Sequence, residues 1–482
     1  MSEEYLRPIN PSTGEQLAAV KITTAEEVEE AVARSRRAFE SWRFTTPQER
    51  ADLLLKVAEQ LDAMAVELGD VITSEMGRVL AESVPEVTKS ASFFRYFAGI
   101  AEEALAPTGL DVSGLTLPEK QARALHEPRG VAAVIKPWNA PVQQIVWAVA
   151  PALTAGCTVI VKPSEYTPHS ALGLQRAFDA AGFPADVVIT LPGDGTTGRA
   201  LVESDVDVIA FTGSIRTGRQ VAEVAGRKIR KCILELSGKD ALIVDERVAD
   251  LDLVASGIVY GAFSNCGHWC SSVERVYLPE AIADELIARV VEKTRALRIG
   301  SGDKGMYDIG PVANKMQLDI VSGIVNDALE RGSTLLTGGN VLSGAGYESG
   351  LFFEPAILVN VPHAARLTRE NAFGPVVAIY KYANLDDALA LTNETNYGLG
   401  LSVWTDDEAF AEYVIRRSET GMVWVNEPLQ SLASCPWSVF KDSGIGVELG
   451  ASGVREFTFE KVVQAQFTGN DGPRGWYFPY RA

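Results

Sequence analysis

The feature that most constrains this chain is the alternation of short apolar runs with helix-length stretches between residues 131 and 211. Val131-Ala-Ala-Val-Ile135, Thr158-Val-Ile-Val161, Val187-Val-Ile-Thr190 and Val206-Asp-Val-Ile-Ala-Phe211 are too short for helices and rich in β-branched residues. Helical stretches separate them, one ending near Gly156 and one running from about His169 to Ala181. Strands spaced by helices are βαβ units, and apolar runs of this kind belong to strands covered on both faces. The expectation is an α/β fold built on a parallel, doubly wound sheet. Thr24 to Leu68 reads as two long amphipathic helices. A second α/β pattern starts after Gly238 with Ala241-Leu-Ile-Val244, then helices through Asp284 to Leu297 and from Gln317 to Arg331. Lys461 to Phe467 reads as a last strand, before a tail after Thr468 rich in Gly, Pro and aromatics. A strand so late in the chain needs an edge to pair with, commonly on another subunit.

With 482 residues the chain exceeds what one hydrophobic core supports, so at least two domains are expected. A formal net charge of −19 argues against nucleic acid or an anionic membrane as partner, because both would repel such a surface. Met1 to Asn10 carries Glu3, Glu4 and Arg7 and no apolar core of a signal peptide, and no uncharged run of ~18 apolar residues occurs. Five cysteines without a C-x-x-C pair indicate free thiols in a reducing, cytoplasmic setting. Four scattered histidines give no metal-site spacing.

The densest constellation is Phe263-Ser-Asn-Cys-Gly-His-Trp-Cys270, with Leu234-Glu-Leu-Ser-Gly-Lys239 upstream. There a carboxylate sits where a strand runs out into a Gly-containing turn, the usual place for functional groups on an α/β sheet. Pro137-Trp-Asn139, Val161-Lys-Pro-Ser-Glu165, Phe211-Thr-Gly-Ser-Ile-Arg-Thr-Gly218 and Asn371-Ala-Phe-Gly-Pro375 complete the set. In this order and spacing the motifs resemble the aldehyde dehydrogenase superfamily, from Asn10-Pro-Ser-Thr-Gly14 to Lys461. The resemblance implies Cys270 as nucleophile, Glu235 as general base and Asn139 as oxyanion donor, and Arg275 falls where the family usually has an arginine. It implies NAD as cofactor, held by Ile135, Lys136, Pro137, Trp138, Lys162, Glu165, Gly195, Phe211, Gly213, Ser214, Leu236, Asn371 and Phe373. Glu165 would accept from ribose hydroxyls and repel a 2′-phosphate, favouring NAD over NADP. The implied architecture is a Rossmann-like NAD-binding domain (1–109 and 127–236), a catalytic domain (237–455) and a small β oligomerisation element (110–126 and 456–482), in a homodimer or homotetramer.

The chemistry makes sense of these residue types. Hydride leaves an aldehyde carbon only once the carbonyl has become tetrahedral, and a thiolate is the side chain best suited to make it so. The oxyanion that forms needs placed donors, each worth roughly 3–4 kcal/mol, and the thioester left behind needs an activated water. Two rivals stay open: a coenzyme-A-acylating enzyme, against which Glu235 speaks, and a silent family member with a binding role. Of the other thiols, Cys266 reads as structural, and Cys157, Cys232 and Cys435 as buried hydrophobes. His268 stands where the family carries Gln and reads as a packing or orienting residue. Ser237 replaces a Gly, Ala148 a common Lys, Pro436-Trp-Ser-Val439 the usual Pro-Phe-Gly-Gly, and Asn371 a Glu that grips the nicotinamide ribose, with Glu370 just before it. Gln143, Trp147, Trp269, Ser431 and Trp437 are expected to wall the substrate tunnel, alongside Ala140, Gln144, Ser264 and Leu429. Three indoles with amides point to a flat, polar-substituted aldehyde, such as a hydroxylated aromatic one.

Overall fold

Capping boxes start the first two helices. Thr24 Oγ1 accepts from the Glu27 amide while the Glu27 carboxylate accepts from the Thr24 amide, opening Ala25–Trp42. Thr46 and Glu49 repeat the device for Pro47–Ala63, which also has its proline in the first turn, where the missing N–H costs nothing. The computed structural model describes residues 4–112, 120–302 and 307–467. The helix Leu80–Gly99, not foreseen in the sequence, follows and carries Pro85 inside it. Its Val87, Ala91, Phe94 and Phe97 are fully buried against the neighbouring helices, and that packing outweighs the proline.

The foreseen strands lie in one sheet of six, which the unforeseen Gly444–Ile445 completes, in the order Gly444–Ile445, Lys231–Glu235, Val208–Thr212, Val131–Ile135, Thr158–Lys162 and Val188–Thr190. Five are parallel, and Gly444–Ile445 is antiparallel at the edge. In Val131–Ile135, Ala132 and Val134 feed one core while Val131, Ala133 and Ile135 feed another on the opposite face. Both faces are covered, which is why the strand is apolar throughout. A second sheet of seven runs Thr334–Thr337, Ala356–Val359, Val376–Tyr382, Val273–Pro279, Asp240–Val244, Gly400–Trp404 and Met422–Val425. The segment 237–455 therefore does not stay on one sheet, since Gly444–Ile445 returns to the first.

The terminal strand is Thr458–Ala465 and finds its edge within its own chain. It pairs antiparallel with Gln121–Pro128, which pairs with Thr108–Leu110 in a sheet of three. The rest of the proposed oligomerisation element, 113–119 and the tail from 468, lies outside the described residues. No described helix is long and apolar enough to cross a membrane.

Candidate active site

In the six-stranded sheet the chain runs outward from Val131–Ile135 in one direction and then, through Val208–Thr212, in the other. The carboxyl ends of these two strands mark the switch point at which open α/β sheets bind ligands. Lys136, Pro137, Trp138 and Asn139 leave one strand there, and Gly213 and Ser214 leave the other. Ser214 caps the helix Ile215–Arg227, accepting from the Thr217 amide at 3.2 Å. Gly195 opens a further helix, whose cap Asp194 accepts from Thr196 at 2.8 Å. Phe211, Lys162 and Leu236 lie at the same carboxyl edge.

Glu235 ends its strand, and three residues later the Gly238 amide donates to the Cys270 carbonyl at 3.1 Å. The Gly238 carbonyl in turn accepts from Asn371 Nδ2 at 2.7 Å. A Cβ on Gly238 would lie 2.5 Å from the Cys270 carbonyl oxygen, so only glycine fits. Below, Lys239 and Glu274 form a fully buried pair, and Glu274 accepts from the amides of Ala372 and Phe373. Arg275 fastens the Lys239 carbonyl at 2.7 and 3.0 Å and reaches the carbonyls of Leu391 and Thr392. Asn265, Cys266 and Phe373 are held at positive φ, strain of the kind that collects at functional sites.

Burial, then the neighbouring Glu448, push the Glu235 carboxyl up to about 8. Neither of its oxygens has a hydrogen-bond partner; the Cys270 thiol and the Trp437 indole lie close enough to act on its charge, short of ordinary hydrogen-bond geometry. Burial, then Glu235, push the Cys270 thiol well above its usual range. Glu448 pairs with buried Lys136, whose ammonium also donates to Thr212 at 2.7 Å. Burial takes His268 down to about 3, so its ring is neutral, and it packs edge-on against Trp138 at 4.9 Å. Asn139 Nδ2 donates to the His268 carbonyl at 2.9 Å, which leaves one amide proton to spare, while its Oδ1 is buried without a partner. Arg78 Nη2 holds the Asn139 carbonyl at 2.6 Å and Nε holds Asn265 at 3.0 Å, while the guanidinium pairs with Glu86 in full burial.

Of the residues expected to wall the tunnel, Gln143, Trp147, Ser431 and Trp437 form one group, and Trp269 with Ser264 another. Trp147 and Trp437 lie 4.9 Å apart, and Trp424, absent from the expectation, is 5.8 Å from Trp437. Gln143 donates to Ser431 at 3.2 Å, and the Trp269 indole donates to Ser264 at 3.1 Å. Trp147 Nε1, Trp437 Nε1 and Gln144 Oε1 are buried without partners.

On the cofactor side, Asn371 Oδ1 is likewise buried and unpartnered, and Phe373 packs 5.4 Å from Trp138. Glu370 is bidentate with Arg366 on the surface and does not take the place of Asn371. Lys162 Nζ is buried with Glu165 at 3.9 Å, beside a cleft of about 1450 Å³ that Glu165, Tyr166 and Asp194 help to line. An acceptor, a buried ammonium and two capped helix starts along one sheet edge fit a dinucleotide. Two thiols depart from expectation. Cys435 is exposed and Cys232 half-buried, because both sit on segments with one face to solvent, whereas Cys157 and Cys266 are buried. Arg78, Glu448 and Trp424 were missed. Only Glu448, a carboxylate between the glycines of Gly446-Val-Glu-Leu-Gly450, gave any local signal.

The description "Aldehyde dehydrogenase family" belongs to the family model that matches residues 1–463. The betaine aldehyde dehydrogenase of Bacillus subtilis (strain 168) is 33% identical over 465 residues, 96% of this chain and 94% of the relative. The NADP(+) succinate-semialdehyde dehydrogenase of Deinococcus radiodurans is 34% identical over 464 residues, covering 96% and 95%. A crystal structure of betaine aldehyde dehydrogenase from Staphylococcus aureus in complex with NAD+ superposes with a TM-score of 0.93 at 29% identity, covering 98% of this chain and 94% of that one.

Proposed function

The chain belongs to the aldehyde dehydrogenase family, and on that premise we propose that it oxidises an aldehyde to its carboxylic acid through a thioester on Cys270, with NAD as cofactor. The observation that carries this is a buried, hydrogen-bond-free Glu235 carboxyl group beside the Cys270 thiol, held by its raised pKa in the range where it gains and loses a proton near neutral pH. Cys270, its thiol proton released to solvent, adds as the thiolate to the carbonyl carbon, and the spare proton of the Asn139 amide with the Cys270 backbone N–H receives the oxyanion. NAD, when bound, supplies the hydride acceptor. Loss of hydride from the tetrahedral carbon leaves the thioester. Glu235 then takes a proton from water as the water's oxygen attacks the acyl carbon, releasing the acid and restoring the thiol.

Lys162, Glu165 and the starts at Gly195 and Gly213-Ser214 hold the adenosine half, and Asn371 Oδ1 and Phe373 the nicotinamide half. Glu165 favours NAD over NADP by repelling a 2′-phosphate. The exposed Phe459 and Val462 on the terminal strand support a homo-oligomer built on that sheet.

For the substrate, the two relatives act on aldehydes of opposite charge at nearly equal identity, so the lining of the tunnel must decide. Ring faces from Trp147, Trp424 and Trp437, with unpartnered indole donors and the Gln144 acceptor, favour a flat aldehyde with polar substituents. The test is NADH formation without coenzyme A across hydroxybenzaldehydes and alkanals. A kcat/KM preference for hydroxylated aromatic aldehydes is expected. A preference for long alkanals would reject this substrate reading, and a requirement for coenzyme A would reject the hydrolytic one.

A further inference from the structure

The helix Leu80–Gly99 packs against the helix that carries Trp147, and its contacts fix which way it faces. Glu86 Oε1 accepts from the amides of Val142 and Gln143 at 2.8 and 3.0 Å, at the start of the helix that carries Trp147. Phe93 stacks on Trp147 at 6.4 Å. Lys89 is three residues after Glu86 and four before Phe93, so helical geometry places it on the same side, between the two contacts. Its own row along the helix is Glu82, Lys89 and Tyr96. Glu82 accepts from the Asn265 amide in the cysteine loop, and Tyr96 lies within electrostatic range of Cys435, in the loop that supplies Ser431 and Trp437. The middle of that row, Lys89, therefore lies between the cysteine loop and the loop that carries Ser431 and Trp437.

Lys89 is half-buried, and no carboxylate among the described residues pairs with it. Burial lowers the pKa of three lysines, Lys89, Lys162 and Lys239. Lys162 has Glu165 and Lys239 has Glu274, but burial is the whole cause at Lys89. The nearby Glu86 is already neutralised by Arg78. An ammonium that has lost water without gaining a counter-charge is costly, and a ligand anion would relieve that cost.

We propose that Lys89 is a specificity residue that pairs with an anionic group on the far end of the aldehyde, so that the preferred substrate carries a carboxylate remote from its formyl carbon. This rests on the tunnel assignment above and sharpens it. The polar substituent of the flat substrate is acidic, and a cationic aldehyde is repelled at the mouth.

The experiment compares kcat/KM for matched pairs, 4-formylbenzoate against 4-methylbenzaldehyde and succinate semialdehyde against butanal, in wild type and in Lys89→Met, Lys89→Arg and Lys89→Glu. A charge-assisted contact corresponds to about tenfold or more, so Lys89→Met should lose that factor on both acids, mainly in KM, and stay within about twofold on the neutral partners. Lys89→Arg should restore the acids, and Lys89→Glu should depress them further. Equal losses on acids and neutral aldehydes, or no wild-type preference for the acid of either pair, would overturn the proposal. Should the aromatic pair turn over poorly while Lys89→Met still costs tenfold on succinate semialdehyde alone, the aromatic reading fails and the anion site stands.

Discussion

The Gly238 amide donates to the Cys270 carbonyl at 3.1 Å, so the turn that follows Glu235 is tied directly to the backbone of Cys270. The Gly238 carbonyl receives the Asn371 side chain, which makes this one peptide the junction of three loops. The turn after Glu235 and the loop of Cys270 are thus joined through backbone groups rather than through either side chain.

Gly238→Ala would set a Cβ 2.5 Å from both the Cys270 carbonyl oxygen and an Asp240 carboxylate oxygen. Overpacking of this kind costs about 1–3 kcal/mol, and here the strain falls between base and nucleophile. Folding should survive, with kcat reduced by roughly 100-fold, in line with the sensitivity of catalysis to ångström misplacement. Circular dichroism with steady-state kinetics reads both, and near-wild-type kcat would refute the coupling.

Arg78→Met removes the partner of buried Glu86 and the clamp on the Asn139 carbonyl. An unpaired buried charge costs about 3–5 kcal/mol, so Tm should fall clearly. If Asn139 is the oxyanion donor, the turnover that remains at a temperature where the variant is folded should also drop. A lower Tm with unchanged kcat would confine Arg78 to stability.

Without cofactor, the Cys270 thiol is held neutral by burial and by Glu235. A thiol with a raised pKa gains thiolate as pH rises, about tenfold per unit below that pKa. Inactivation by iodoacetamide should therefore climb steadily from pH 7 to 9, and a flat rate across that range would mean a resting thiolate. Cys435, being exposed, should react first and without loss of activity, which Cys435→Ser checks.

The parallel strands are legible because strands buried on both faces are apolar along their length, as Val131–Ile135 is and Val208–Thr212 is up to its last residue. Glu235 and Asn139 follow from the sequence as residues at or just past the carboxyl ends of Lys231–Glu235 and Val131–Ile135, whereas Cys270, in the loop before Val273–Pro279, is singled out only by the motif around it. Leu80–Gly99 was hidden by Pro85, and with it went Glu86 and Lys89, whose meaning depends on the facing helix. Arg78 joins Glu86, Asn139 and Asn265, partners up to 187 positions away, and no local pattern encodes that. The grouping of 110–126 with 456–482 agrees with the pairing of Thr458–Ala465 with Gln121–Pro128, whereas the exact register, across more than 300 positions, has no local signal.

The most direct test of the central claim is mass spectrometry of Glu235→Gln quenched after mixing with aldehyde and NAD. Hydride loss precedes the water attack that the carboxylate assists, so a burst of NADH near one per site should accompany an acyl adduct on the peptide bearing Cys270. The adduct should be absent in Cys270→Ala. Neither burst nor adduct in Glu235→Gln would show that Glu235 acts before the thioester forms, and an adduct on any other residue would contradict the assignment of Cys270.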